Sequence, residues 1–186
     1  MTITQFTRMD ESTAEQWAVI GAETMANQPR VADEILGMIT RLEGIVDGFG
    51  TNQLVHALQT ATYAEKAGAD QEVVVASLCH DIGKLISVFN HPGIAAEILK
   101  PYVREEVYKM ILVHQDFQGR HYYHHFGGDT DAREKHRETV DAGTFELAER
   151  FADEWDQTSF DPDYPTKPLE HFEPLVRQVF AQPRMM

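Results

Sequence analysis

Cysteine, basic residues and long apolar runs are all scarce in this sequence. The one cysteine, Cys79, has no second thiol with which to form an internal disulfide, and it lies within an apolar run. We interpret it as a small core residue of a protein from a reducing compartment. Only 16 Lys and Arg stand against 30 Asp and Glu, so the net charge is −14. A chain this acidic repels phosphate backbones and anionic lipid surfaces, and we expect neither a nucleic acid nor a membrane as its partner.

Membrane-spanning and β-strand patterns are missing as well. No segment approaches the roughly 18 consecutive apolar residues that a spanning helix needs. The N-terminal stretch MTITQFTRMDESTAEQW lacks the basic and apolar regions of a signal peptide, so we expect a cytoplasmic location. No stretch alternates apolar and polar residues with period two, and we find no repeat, linker or low-complexity tract. These absences favour a single all-α domain.

Apolar residues instead recur with helical spacing along most of the chain. The predicted helices cover residues 11–27, 30–46, 52–68, 70–89, 91–100, 102–115, 132–155 and 169–180. We expect Asn52 to cap the third helix, Gly68 to end it, and Pro92 to take the first position of the fifth. The segment 70–89 is the most apolar and is predicted to be the central buried helix. Residues 116–131 are predicted to be irregular, and the helix over 132–155 to break near Gly143.

Histidine and aspartate residues follow one another on successive predicted helices. The pair His80–Asp81 lies inside the most apolar helix, where two ionisable side chains are costly to bury unless partners satisfy them. Candidate partners occur on the neighbouring helices: His56, His91, His114 and Asp156. Four imidazoles and two carboxylates from five helices can converge in a helical bundle, as they do in dimetal sites. Nitrogen and oxygen donors suit Fe, Mn, Zn or Ni, whereas a single cysteine excludes a thiolate-rich site.

Several of these residues also have an ordinary structural interpretation. His56 can be a hydrogen-bonded helix residue, and His91 can cap a helix ahead of Pro92. His114 ends a helix, where the macrodipole favours a cation. Asp156 is different, because a carboxylate at a helix C-terminus opposes the dipole and needs compensation. The complete set, in this order, predicts a metal site.

The order H…HD…H…H…D resembles that of the HD-domain superfamily. The pattern is densest in NQLVHALQTATYAEKAGADQEVVVASLCHDIGK, HPGIAAEIL and ILVHQ, and the likeness continues to EWDQTSF and PLEHFEPL. The spacing of the last part is similar to that of the phosphonate-cleaving, PhnZ-like HD oxygenases, relatives of myo-inositol oxygenase. The resemblance implies one HD domain over residues 1–186, with N-terminal helices at 1–50, a metal-binding core at 51–160 and a C-terminal loop and helix at 161–186.

The same resemblance implies a dinuclear ligand set. One metal would be held by His56, His80, Asp81 and Asp156, and the second by His91 and His114, with Asp81 bridging the two. Many HD phosphohydrolases resemble only the four-ligand version, so the extra pair His91 and His114 favours the oxygenase group. In myo-inositol oxygenase the lysine of HDxGK touches the substrate, which makes Lys84 the expected substrate contact and, with Asp81, a catalytic residue. The alternative for Lys84 is a solvent-facing lysine at a helix end.

The activity that the resemblance implies is that of a mixed-valent Fe(II)/Fe(III) di-iron oxygenase. Such an enzyme uses dioxygen to cleave a C–C or C–P bond of a small hydroxylated metabolite. Two divalent ions against two Asp charges leave the site at about +2, so we expect the substrate to be anionic or to form an alkoxide. Two alternatives stay open. One is a phosphohydrolase that uses Mn, Zn or Ni against a phosphate ester or nucleotide, and the other is a degenerate HD domain that only binds or senses a ligand.

Several positions depart from the oxygenase pattern. The Tyr and Glu that gate the iron in that group are Val46 and Phe49 here, and a lysine four residues after the last His ligand is Gln118. An arginine three residues before the final Asp is Asp153, and the motif QGGPM reads FGGDT at residues 126–130. We therefore expect a different substrate from the group's usual one, or other residues that hold it. The substrate-binding candidates are Lys84, Gln118, Arg120, His121 and His124.

Overall fold

The computed structural model describes residues 4–184. Its α-helices are α1 (Ala14–Ala26), α2 (Val31–Arg41), α3 (Gln53–Lys66), α4 (Gln71–Cys79), α5 (His91–Leu99), α6 (Glu105–Gln118), α7 (Ala142–Arg150) and α8 (Leu169–Val179). Short 3-10 turns join several of them, and a π-helical turn, Phe151–Asp156, follows α7 directly. No β-strand occurs in residues 4–184, which confirms the predicted all-α fold.

The helices α3 and α4 form the centre of the bundle. They pack on each other, and α4 also packs on α6 and α8, so that every residue of α4 from Val73 to Cys79 is buried. The largest fully buried side chains come from later in the chain and include Trp155, Phe117, Phe151, Phe172 and Phe180. Helix α1 buries none of its residues and lies at the periphery. None of the helices within residues 4–184 is long and apolar enough to cross a membrane.

Several predicted helix ends are confirmed by the side chains that form them. Asn52 Oδ1 accepts a hydrogen bond of 2.9 Å from the Val55 backbone N–H and caps α3. Just beyond α3, Gly68 has a φ of 77°, a left-handed conformation that glycine adopts at no steric cost. Pro92 occupies the first turn of α5, where its missing N–H is not needed.

The prediction that one helix runs over 70–89 is wrong, because α4 ends at Cys79. Asp81 leaves the helical conformation, and the chain continues in a 3-10 turn, Ile82–Leu85. Gly83 in that turn lies so close to the start of α5 that a Cβ atom built on it would be 2.2 Å from the His91 carbonyl oxygen. This contact between α5 and the turn outweighs the helical pattern of the sequence, and it brings His91 back towards the His80–Asp81 pair.

The predicted helix over 132–155 is three separate elements in the structure: a 3-10 turn over Ala132–Glu138, α7 and the π-helical turn. The chain breaks at Asp141, two residues before Gly143, which confirms the predicted break near Gly143. Asp141 Oδ1 accepts a hydrogen bond of 3.0 Å from the Thr144 backbone N–H. A capping residue adopts an extended backbone, so the helix can only begin after it.

Candidate metal centre

Six buried side chains converge between the helices, and they are the six that the sequence singled out. α3 contributes His56, the end of α4 contributes the His80–Asp81 pair, α5 and α6 contribute one histidine each, and the π-helical turn ends with an aspartate. Each of the six is at least nine-tenths buried: His56, His80, Asp81, His91, His114 and Asp156. Three overlapping groups of these residues have ligand atoms that all lie within 4.8 Å of one another, which is close enough to hold a metal ion.

All four histidine rings are oriented by backbone carbonyls. Each Nδ1 lies 2.7–2.9 Å from a carbonyl oxygen: His56 from Ser159, His80 from Ser77, His91 from Val88 and His114 from Ile111. A carbonyl oxygen only accepts hydrogen bonds, so each Nδ1 carries the hydrogen. In a neutral ring the remaining lone pair is then on Nε2, and a backbone carbonyl on the other ring nitrogen is a common arrangement for metal-ligating histidine.

The Nε2 atoms face one another in pairs. The distance between His56 Nε2 and His80 Nε2 is 3.1 Å, and that between His91 Nε2 and His114 Nε2 is 3.3 Å. Two neutral rings whose lone pairs point at each other cannot form a hydrogen bond. A shared cation removes this conflict, and nitrogen donors of this kind suit Fe, Mn, Zn and Ni. The donor set therefore fits a metal at each histidine pair.

Asp81 lies between the two histidine pairs and turns one oxygen towards each. Its Oδ2 is 3.3 Å from His80 Nε2 and 3.7 Å from His56 Nε2. Its Oδ1 is 3.1 Å from His91 Nε2 and 3.8 Å from His114 Nε2, and this buried oxygen forms no hydrogen bond. A carboxylate in this position can bridge two cations.

Asp156 completes the side that contains His56 and His80. Its Oδ1 lies 3.2 Å from His56 Nε2 and 3.6 Å from His80 Nε2, and it accepts a hydrogen bond of 2.9 Å from Gln118 Nε2. Its Oδ2 is buried and forms no hydrogen bond. Asp156 is the last residue of the π-helical turn, an uncommon conformation that often marks functional sites. An orphaned carboxylate oxygen in a dry interior needs a cation, which supports the fit of a metal here.

The pKa values of the buried histidines and aspartates are shifted by burial and by the charges of their neighbours. Burial alone would lower the pKa of His80, but the charges of Asp81 and Asp156 raise it to about 9. Burial lowers the pKa of His114 to about 4, and the positive charge of His80 acts in the same direction. Burial would raise the pKa of Asp81, yet His80 beside it holds that pKa well below its usual range. The pKa of Asp156 is lowered in the same way, so both carboxylates are held in the ionised form.

Lys84 lies at the edge of this cluster, on the 3-10 turn that follows α4. Its Nζ is 2.9 Å from Asp81 Oδ2, 3.1 Å from Gln53 Oε1 and 3.4 Å from Asp47 Oδ2. Burial would lower the pKa of Lys84, but the charges of Asp81 and Asp47 raise it. Its helical position was predicted wrongly, because α4 has already ended. Lys84 nevertheless points at the cluster, so the alternative of a freely solvated lysine is wrong.

The other predicted substrate residues fall into two sets. Gln118 donates to Asp156, as described, and therefore belongs to the cluster. The Nε2 atom of His121 lies 2.8 Å from Asp153 Oδ1, one turn before Asp156. Arg120 and His124 are exposed, and within residues 4–184 neither forms a hydrogen bond with any of the six converging residues. A substrate role for these loop residues stays a prediction.

The positions that depart from the oxygenase pattern have other surroundings here. Val46 is exposed. The ring of Phe49 stacks on Phe160 at 4.4 Å, and Phe160 stacks in turn on His56 at 4.4 Å. Asp153 forms an ion pair of 3.0 Å with the buried Arg133.

Sequence reasoning missed four residues around the centre: Asp47, Gln53, Tyr122 and Phe160. Asp47 and Gln53 contact Lys84, and Phe160 contacts His56. Burial raises the pKa of Tyr122, and the charge of Asp156 also raises it. Nothing in the spacing of these residues distinguishes them, and the only available signal for Tyr122 was its position in the aromatic loop GRHYYHHFGG.

Comparison with known proteins agrees with the geometry. A family model described as the HD domain matches residues 54–161, which is more than half of the chain and includes all six converging residues. No curated protein matches the chain. HD domains bind divalent metals, and their members are generally metal-dependent enzymes, often hydrolases. On the match over residues 54–161, this chain belongs to the HD-domain family.

Proposed function

We propose that the protein is a mixed-valent di-iron oxygenase that cleaves a C–C or C–P bond of a small hydroxylated metabolite with dioxygen. The observation that carries the proposal is the position of Asp81, with Oδ2 towards His80 and Oδ1 towards His91. A mononuclear site would have no use for the second histidine pair. The proposal also depends on the resemblance of the complete six-residue pattern to the PhnZ-like HD oxygenases.

The chain supplies four neutral imidazoles and two carboxylates for two cations. When bound, two irons would supply the redox chemistry that reduces dioxygen and oxidises a C–H bond of the substrate. One Fe(II) and one Fe(III) exceed the charges of Asp81 and Asp156 by about +3, so the site attracts an anionic group or an alkoxide. Lys84 carries a positive charge beside Asp81, and its ammonium group can donate a hydrogen bond to a substrate oxygen.

Other residues of the chain contact and orient this ligand set. The ring of Phe160 stacks on His56, and the ring of Phe49 stacks in turn on Phe160. Gln118 donates to Asp156 Oδ1, the oxygen that faces His56 and His80, and so holds the carboxylate beside them. Hydrogen bonds of this kind to metal ligands tune metal affinity about 10- to 100-fold.

The second candidate function is a metal-dependent phosphohydrolase acting on a phosphate ester or nucleotide. It is favoured by the family, whose members are often hydrolases. It is also favoured by the carboxylate of Asp153 at a position where the oxygenases have an arginine. In this alternative Mn, Zn or Ni suffices and oxygen has no part in the reaction.

One experiment separates the two candidates. Protein purified without oxygen is analysed for metal, and its iron is examined by Mössbauer and EPR spectroscopy. The iron-loaded protein is then incubated with hydroxy-phosphonates, polyols and hydroxy acids, and in parallel with phosphate monoesters and nucleotides. We expect two irons per chain and oxygen uptake coupled to bond cleavage. Phosphate release in the absence of oxygen, without substrate-linked oxygen uptake, would identify the hydrolase.

Lys84→Met provides the matched test of the site. It keeps most of the side-chain volume and removes the ammonium, so we expect both metals to be retained and oxygen uptake to be lost. Lys100→Met is the control, because Lys100 is exposed and forms its ion pair with Glu97 on the surface. Full turnover by Lys84→Met would show that the substrate does not contact this lysine.

A further inference from the structure

Residues 45–52 lead into α3, and Asp47 and Phe49 of this segment lie beside the candidate metal centre. Two contacts fix the position of this segment. The Gln53 backbone N–H donates to the Ile45 carbonyl at 3.0 Å, and the Phe49 ring stacks on Phe160. Between these ties, Gly48 has a φ of 87°, which a side chain rarely permits. The tight turn at Gly48 holds the preceding residue, Asp47, against Lys84.

The Asp47 carboxylate has two specific partners. Its Oδ2 accepts a hydrogen bond of 3.1 Å from Gln53 Nε2 and one of 3.4 Å from Lys84 Nζ. Gln53 is 1% exposed, so its amide is fixed, whereas about a third of the Asp47 side chain is open to solvent. A partly exposed carboxylate thus faces the ammonium group that contacts Asp81.

Each N–H donor of the Lys84 ammonium has an acceptor beside it: Asp81 Oδ2, Gln53 Oε1 and Asp47 Oδ2. With Asp81 bound to cations, the donor that faces Asp81 would become available to a substrate oxygen, and Asp47 would remain as the counter-ion of Lys84. This edge of the candidate metal centre would then carry a donor and an acceptor side by side, with no net charge.

We propose that Asp47 is a specificity-determining residue that selects a neutral hydroxyl group, and rejects an anionic group, at the Lys84 edge of the candidate metal centre. A hydroxyl can accept from Lys84 and donate to Asp47 at the same time. A phosphate or carboxylate group can only accept, so it meets Lys84 favourably and Asp47 unfavourably. The inference deepens the proposed function: the substrate is a polyol or hydroxy acid whose hydroxylated end lies at Lys84 and whose anionic group, where it has one, lies at the metals.

Binding of inorganic phosphate to the manganese-loaded protein tests this without any turnover. Asp47→Asn keeps the shape of the side chain and removes its charge. We expect it to bind phosphate about tenfold more tightly than the unaltered protein in calorimetric titration, with an unchanged metal content. The matched control is Asp116→Asn, which removes the same charge two residues from His114. Asp116 pairs with Lys135 and His136 and has no contact with Lys84, so we expect less than a twofold change.

The double variant makes the test specific to the proposed contact. If Asp47 acts through Lys84, then Asp47→Asn has no effect on phosphate binding in the Lys84→Met background. An equal gain in that background, or an equal gain in Asp116→Asn, would overturn the inference, because the effect would then be one of overall charge. Asp47→Ser serves as a second variant that also removes the charge, and loss of metal from both variants would show that Asp47 supports the metal centre instead.

Failure of the two proposals can be told apart. The phosphate titration uses manganese and needs no oxygen, so it does not depend on oxygenase activity. A tighter phosphate complex in Asp47→Asn together with phosphate release from esters would keep the role of Asp47 and replace the oxygenase by the hydrolase. Oxygen uptake with polyols together with no change in phosphate binding would keep the oxygenase and remove the role of Asp47.

Discussion

Histidine, lysine and carboxylate side chains meet in two regions of this molecule, with opposite consequences. In the surface cluster formed by Glu65, Lys167 and His171, the carboxylate accepts from both neighbours. Burial would raise the pKa of Glu65, but the hydrogen bonds from Lys167 and His171 lower it. The three side chains are partly exposed, and each has a hydrogen-bond or ion-pair partner within the cluster.

In the buried cluster the same kinds of group leave each other unsatisfied. Asp81 and Asp156 each keep one buried oxygen without a hydrogen bond, and the Nε2 atoms of the histidines face one another. Residue type alone therefore does not distinguish a metal site. A candidate site is distinguished by buried ligand atoms that have no hydrogen-bond partner among residues 4–184, because a bound cation can satisfy them.

The largest effect is expected from removal of the carboxylate that both histidine pairs share. We expect Asp81→Ala to lose both metals, because each cation would lose a ligand and half of the bridging charge. Metal analysis by mass spectrometry measures this directly. Chelation should lower the Tm of the unaltered protein by about 10 °C, as expected for a ligand bound at a thousand times its Kd, and should leave the Tm of Asp81→Ala unchanged. Two metals in Asp81→Ala would contradict the bridging position.

A smaller change should remove one metal only. His91 contacts Asp81 Oδ1 and His114, and it has no contact with the Asp156 side of the centre. We expect His91→Ala to retain one metal per chain, held by the side that contains His56, His80 and Asp156. Metal content and the loss of a coupled two-iron EPR signal check this. An unaltered content of two metals would mean that the second histidine pair binds nothing.

Removing a hydrogen bond to a metal ligand should weaken the centre without emptying it. We expect Gln118→Leu to lower the affinity of the metal at Asp156 by about 10- to 100-fold, because the carboxylate loses the donor that orients it. Competition with a chelating dye measures the affinity. Gln157→Leu is the control, since Gln157 follows Asp156 directly but donates to the Asp153 carbonyl. Equal losses in both variants would point to a general loosening of the π-helical turn.

The smallest effect should come from the surface cluster. We expect Glu65→Gln to change the free energy of unfolding by less than about 1 kcal/mol, because partly exposed ion pairs contribute little. Denaturant unfolding measures this change, and metal analysis should still find two metals. A loss of metal in Glu65→Gln would show that the two clusters are coupled and would weaken the distinction between them.

Much of the architecture followed from local patterns. Helical spacing and the absence of alternating segments indicated the all-α fold, and Asn52 and Gly68 indicated the ends of α3. These signals are local, because a cap or a left-handed glycine acts on the adjacent turn. The prediction of one helix over 70–89 failed where a contact between separate elements is involved. α4 ends at Cys79, and the turn that follows it packs against the start of α5, with Gly83 beside the His91 backbone.

Some residues of the candidate centre could likewise be predicted from the sequence, and others could not. Its six residues could be recognised because few other reasons place so many histidines and aspartates in buried helices in this order. The residues around it could not. Asp47 and Lys84 are 37 positions apart, and Phe160 lies more than a hundred positions from His56, so no periodicity connects them.

The helical fold could be predicted from the sequence alone, and so could the set of four histidines and two aspartates that can bind cations. Composition, helical spacing and capping residues suffice for that, since each acts within a few residues. Two contacts are visible only in the tertiary structure: Asp81 turns one oxygen to each histidine pair, and Asp47 lies against Lys84. Those contacts depend on how α3, α5 and the turns beside them pack, and packing is set by the whole core at once.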